Sequence, residues 1–158
     1  MRSAIEFRDA RPDDGPGAEL VQAMRDEIAE AYDGLDLDGP EMPNAGPAEL
    51  GPPRGAFVVG WRDGEAICCG GFKDLGEHTC EIKKMYVVPE ARGAGVARAL
   101  LHELEDRARG MGYVRVRLDT GAKQEHALAL YESEGYAEIE NFNDNPVANY
   151  FGEKPLDR

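Results

Sequence analysis

Cysteine is scarce in this chain: 158 residues hold only Cys68, Cys69 and Cys80. An odd set with two neighbours side by side makes neither an even disulfide framework nor a C-x-x-C pair, so all three are expected as reduced core or strand residues. No apolar run approaches the roughly 20 residues that cross a bilayer, and the opening "MRSAIEFRDARPDD" lacks the apolar segment of a secretory signal. A soluble, cytoplasmic protein is expected. Serine occurs only as Ser3 and Ser133, outside any G-x-S-x-G elbow, and there is no H-E-x-x-H helix. His78, His102 and His126 are scattered, so they read as surface residues and no metal centre is expected. Basic residues are also in deficit, 18 against 31 acidic, and the net charge of −13 argues against nucleic acid and anionic membranes as partners.

With 42% hydrophobic and 31% charged residues, the composition is that of a globular protein, and the length suits one domain over residues 1–158. The segment "AIEFRDA" predicts a strand. Leu20, Val21, Met24, Ile28 and Tyr32 recur at helical spacing, with Gly34 as the closing residue. Residues 35–55 hold four glycines and five prolines, which predicts a long loop over a site. "AFVVGWRDGEAICCGGF" reads as a hairpin turning at Asp63-Gly64, followed by the strand "CEIKKMYVV". Val96, Leu100, Leu104 and Ala108 mark an amphipathic helix stopped by Gly110 or Gly112. A strand "YVRVRLD", a short helix "QEHALALYESEGY" closed by Gly135, and two strands around "NDNP" complete a mixed α/β sheet flanked by helices.

Charge is not evenly spread. Between Ile82 and Arg98 four basic residues face Glu90 alone, +3 locally in a chain whose other residues sum to −16. That island surrounds "VVPEARGAGVARALL", where Arg92, Gly93 and Gly95 precede the long helix. A helix start offers unpaired N–H groups and about half a positive charge, and glycines let a phosphate come close. A dinucleotide fingerprint fails because Arg98 stands where its third glycine belongs, and no G-x-x-x-x-G-K-[ST] loop occurs.

"RGAGVA", from Arg92 to Ala97, matches R/Q-x-x-G-x-G/A, and "QEHALALYESEGY" matches N-x-x-A-x-x-L-Y-x-x-x-G-F with Gln124 in place of Asn. On these two motifs and the order of elements, the chain resembles the GNAT family of N-acetyltransferases along nearly its whole length. The resemblance implies that fold, with acetyl-CoA as the acyl donor and a splayed central strand. It implies a donor site at Met85, Tyr86, Val87, Arg92, Gly93, Ala94, Gly95, Val96, Ala97, Arg98 and Gln124. It also implies Tyr131 as the acid beside the leaving thiolate and Glu81 as the base for the acceptor amine. A carboxylate of pKa about 4.3 is a weak base toward an ammonium of about 10.4, so Glu81 would need burial or a water relay. The acceptor, a small-molecule or peptide amine, is expected near Tyr32, Asn141, Asn143 and Asp144. A homodimer is compatible with the family, and a non-catalytic acyl-CoA sensor is the alternative reading.

Overall fold

The computed structural model describes residues 4–36, 42, 45–121 and 125–156. Among them, seven strands form one sheet in the order β1-β2-β3-β4-β5-β7-β6. They are β1 (Glu6–Asp9), β2 (Ala56–Arg62), β3 (Glu65–Gly76), β4 (Thr79–Val87), β5 (Arg115–Gly121), β6 (Ala137–Glu138) and β7 (Ala148–Pro155). Helices α1 (Gly15–Ala31), α2 (Val96–Gly110) and α3 (Glu125–Ser133) flank it. The expected mixed α/β architecture is borne out.

Alternation along the strands feeds two cores. Phe57, Val59, Cys69 and Tyr86 meet Leu20, Val21 and Met24 of α1. Val58, Phe72, Ile82 and Val116 meet Leu100, Leu101, Leu104 and Ala108 of α2. Each fully buried leucine of α2 contributes about 1.5–3 kcal/mol of burial energy, which holds the start of that helix against the sheet. All three cysteines are buried and free within these cores.

The hairpin at Asp63-Gly64 forms as its sequence predicts, with φ of 53° and 80°. The β3–β4 turn has the same handedness through Glu77 and His78, at φ 54° and 57°, and neither residue signals it in sequence. Gly34 closes α1, donating its N–H to Ala29 O from a left-handed conformation. The penultimate strand is shorter than "AEIENF" implies: only Ala137–Glu138 pairs, because the chain then turns into the "NDNP" segment. The long loop is described only in part, and its end is anchored by Leu50, which is fully buried in the α1 core.

All neighbouring strands pair antiparallel except β4 and β5. That parallel ladder is short, joining Thr79, Cys80 and Glu81 to Arg115, Val116 and Arg117. Beyond Glu81 and Arg117 the strands part, although β4 runs on to Val87 and β5 to Gly121. A bulge accompanies the parting. Between the pairs Gly71↔Lys83 and Cys69↔Tyr86, β4 carries one more residue than β3, and Lys84 takes φ 59°.

Candidate active site

The fork between β4 and β5 gathers a set of buried and half-buried polar side chains. Glu81 sits at its base, fully buried. Its Oε2 accepts from Lys83 Nζ at 3.2 Å and from Asn143 Nδ2 at 2.8 Å, while Oε1 is buried with no hydrogen-bond partner. Asn143 Nδ2 also donates to Asp119 Oδ2 at 2.6 Å, and Asn145 Nδ2 donates to the same oxygen at 3.1 Å. Two carboxylates from opposite arms of the fork are therefore joined by one amide.

A groove of about 800 Å³ runs from the fork to the start of α2. Met85, Tyr86 and Val87 form one wall, and Arg92, Gly93, Gly95, Val96, Ala97 and Arg98 form its end. Gly93 and Gly95 have φ of 82° and 78°, and a Cβ built on either meets nothing within 4 Å. Glycine is therefore demanded by backbone conformation and leaves open space before the helix. Gly95 is also the N-cap of α2 and supplies no side-chain cap, so the first-turn N–H groups face the groove end without one. Ala94 is exposed in the same turn, and Gln124 lies outside the described residues.

The two arginines have protein partners. Arg92 donates through Nε to Val87 O at 2.9 Å and through a guanidinium nitrogen to Glu27 of α1 at 2.8 Å, with its guanidinium over the Tyr86 ring. Arg98 pairs with Glu134 and donates to Ser133 Oγ at 3.2 Å, tying α2 to the end of α3.

Tyr131 projects from α3 into the groove wall, with its hydroxyl 3.9 Å from Met85 Sδ. Burial, reinforced by the Asp119 charge, pushes its pKa well above the ordinary tyrosine value. Tyr131 is thus held protonated at any physiological pH.

On the α1 side a smaller pocket of about 150 Å³ opens from the same fork. Met24, Ile28 and Met85 line both cavities, so the two meet there. Tyr32 lines the small pocket and stands against Gly121, where a Cβ would come within 2.1 Å of its hydroxyl. Asn141 and Asp144 do not line it. Asn141 Oδ1 instead accepts from the N–H groups of Asn143 and Asp144, building the turn that aims Asn143 at the fork.

The sequence profile of the Acetyltransferase (GNAT) family matches residues 18–136. The chain belongs to this family. It is 37% identical over 111 residues to the IAA acetyltransferase of Azospirillum brasilense, a match covering 68% of this chain and 72% of that protein. It is 32% identical over 146 residues to YsnE, an uncharacterized N-acetyltransferase of Bacillus subtilis, covering 90% and 91%. A solved protein of Klebsiella pneumoniae, assigned to the acyl-CoA N-acyltransferases, is 31% identical with a TM-score of 0.78, covering 96% of this chain and 97% of that one.

Membership makes the chain an acetyl-CoA-dependent N-acetyltransferase, and the groove suits that donor: an apolar wall for the pantetheine arm and an open glycine turn on a helix start for the pyrophosphate. No helix among the described residues is long and apolar enough to cross a membrane. No group of His, Cys, Asp or Glu among them is arranged to hold a metal ion.

Sequence reasoning passed over Asp119, Asn145 and Glu27. Asp119 ends "YVRVRLD" as an ordinary strand-end acid, and only the parting of β5 from β4 brings it into the pocket. Glu27 sits on the polar face of α1 and gains meaning through Arg92, 65 positions later.

Proposed function

We propose that this acetyltransferase moves the acetyl group directly onto a primary amine at the β4–β5 fork, with Tyr131 and Glu81 as its proton-handling residues. The observation that carries the reading is the meeting of the two cavities at Met85, beside the Tyr131 hydroxyl and four residues along β4 from buried Glu81. Acetyl-CoA supplies a thioester carbonyl that the amine nitrogen attacks, forming a C–N bond as the C–S bond breaks.

The chain's own groups do the rest. Beyond Glu81 the edge of β4 has no partner in β5, so its main chain near Val87 is placed to bond the pantetheine arm as an added strand would and to face the thioester oxygen. Gly93, Ala94, Gly95 and Val96 seat the pyrophosphate on the α2 start. Arg92 braces this turn against α1, and Arg98, paired with Glu134, braces the first turn of α2 against α3.

The acceptor ammonium passes one proton to Glu81 before its nitrogen attacks, and the second proton shed as the amide forms leaves through solvent, where the departing thiolate can take it up. Because the Glu81 carboxylate is fully buried, the first transfer runs through water, with Oε1 as the acceptor. Tyr131 donates a hydrogen bond to the departing sulfur. Its raised pKa makes full proton transfer to a thiolate uphill, so stabilising developing charge is its main contribution. The acceptor enters through the pocket that Tyr32 lines, past the turn built by Asn141, Asn143 and Asp144. Three free buried thiols suit a reducing, cytoplasmic setting.

The test is coenzyme A release in the presence of a panel of small amines and peptide N-termini, for wild type and Tyr131→Phe. Amine-dependent release that Tyr131→Phe slows supports the reading. Tight acetyl-CoA binding with no turnover of any amine identifies a sensor instead.

A further inference from the structure

Besides Glu81, the described residues bury one further carboxylate, Glu105 of α2, and neither substrate binding nor proton transfer uses it. Both its oxygens accept from Lys154 Nζ at 3.1 Å, and Oε2 also accepts from the Tyr136 hydroxyl at 2.8 Å. Lys154 sits opposite Val116 in the β5–β7 ladder, with its ammonium over the Tyr136 ring. A buried ion pair is a weak source of stability, because desolvation offsets its attraction. Here it supplies an oxygen fixed from two elements, α2 and β7, against which the Tyr136 hydroxyl is held. Burial, reinforced by the Glu105 charge, pushes the Tyr136 pKa up, so that hydroxyl keeps its proton and stays the donor.

Tyr136 in turn meets Tyr131 twice. Its N–H donates to Tyr131 O at 3.0 Å across the Gly135 turn, and the two rings lie 5.7 Å apart, tilted by 58°. The helix itself gives Tyr131 little more to hold it: among the described side chains of α3 only Tyr131 is buried. Its hydroxyl has the Met85 thioether, a weak acceptor, as its partner. A hydroxyl that is to meet a departing sulfur needs that freedom, so its place has to be set from the far side of the ring.

We propose that Tyr136 is a positioning residue for Tyr131: anchored by the Glu105–Lys154 pair, it holds the Tyr131 ring where the Tyr131 hydroxyl meets the departing sulfur. The proposal rests on the role given to Tyr131 above and adds the group that sets its geometry.

The experiment is a double-mutant cycle of Tyr136→Phe and Tyr131→Phe, read as coenzyme A release with the fastest-reacting amine of the panel above. Tyr136→Phe keeps the ring, removes the bond to Glu105 and leaves Glu105 to Lys154. It is expected to lower kcat about tenfold, less than a displacement of about 1 Å can cost, with KM for the amine within about twofold of wild type. Calorimetry is expected to show unchanged acetyl-CoA affinity. In the Tyr131→Phe background the same change should alter kcat by less than about twofold, because the hydroxyl being placed is already gone. Glu105→Met removes the acceptor at similar volume and should repeat both results, so the test does not hang on one variant; urea unfolding checks that each is folded. A purely structural role gives equal falls in both backgrounds. That result, or an unchanged kcat in Tyr136→Phe, overturns the proposal while leaving acetyl transfer intact. Should Tyr131→Phe react as fast as wild type, or wild type acetylate no amine, the reading of Tyr131 or of acetyl transfer fails instead. NMR of the free protein then decides the positioning alone: faster flipping of the Tyr131 ring in Tyr136→Phe supports it, and an unchanged flip rate overturns it.

Discussion

Glu81 and Asp119 accept hydrogen bonds from a single nitrogen, Asn143 Nδ2, at 2.8 and 2.6 Å. Removing that donor leaves a fully buried carboxylate with Lys83 as its remaining hydrogen-bond donor. Asn143→Leu is expected to lower stability by about 1–3 kcal/mol, the usual cost of stranding a buried polar group. Urea unfolding measures it. Asn143→Asp should be worse, because a third carboxylate would replace the shared donor.

Tyr131→Phe removes one hydroxyl from a buried ring and leaves its packing against Tyr136 in place. A fall in kcat of about 100-fold is expected, at the lower end of proton-handling contributions, with acetyl-CoA affinity nearly unchanged. Single-turnover rates and calorimetry separate the two effects.

At Gly95 the fold has room for a methyl group but the wrong backbone angle for one. Gly95→Ala should cost about 1–2 kcal/mol of stability from the left-handed φ alone. A weakening of acetyl-CoA binding beyond that strain, seen by titration, would locate the pyrophosphate against this residue. Equal binding would remove it from the donor site.

The three buried thiols give the stability a pH limit. Burial pushes Cys68 from 9.0 to about 11, and Cys69 and Cys80 to about 12. The folded state thus holds protons that the unfolded chain releases. Their contribution is complete below pH 9 and is lost as pH rises toward 12, at up to roughly 1.4 kcal/mol per thiol per pH unit. Urea midpoints at pH 8 and pH 10.5 should show the decline, and iodoacetamide should label the native protein slowly at pH 8.

The elements were legible wherever periodicity and turn chemistry agreed. The α2 stripe, the Asp63-Gly64 hairpin and the "RGAGVA" turn all lie where the residues predict. The fork was legible only through family resemblance, because nothing in "CEIKKMYVV" says which side of the strand lacks a partner. Asp119 was hidden for the same reason: a carboxylate at a strand end acquires its role from a neighbouring strand that leaves. The hairpin at Glu77-His78 escaped notice because both residues adopt positive φ without glycine, an arrangement imposed by the long strands they connect.

The bulge at Lys84 bears on which changes in chain length the protein tolerates. Gly71 opposite Lys83 and Cys69 opposite Tyr86 would still pair if Lys84 were deleted, with Met85 falling opposite Gly70 in an unbroken ladder. Such a shortened chain keeps its two cores and gains regularity, yet its fourth strand loses the bend that turns it from the fifth. Deletion of Lys84 is therefore expected to preserve the fold, checked by urea unfolding, while acetyl transfer is lost, checked by coenzyme A release.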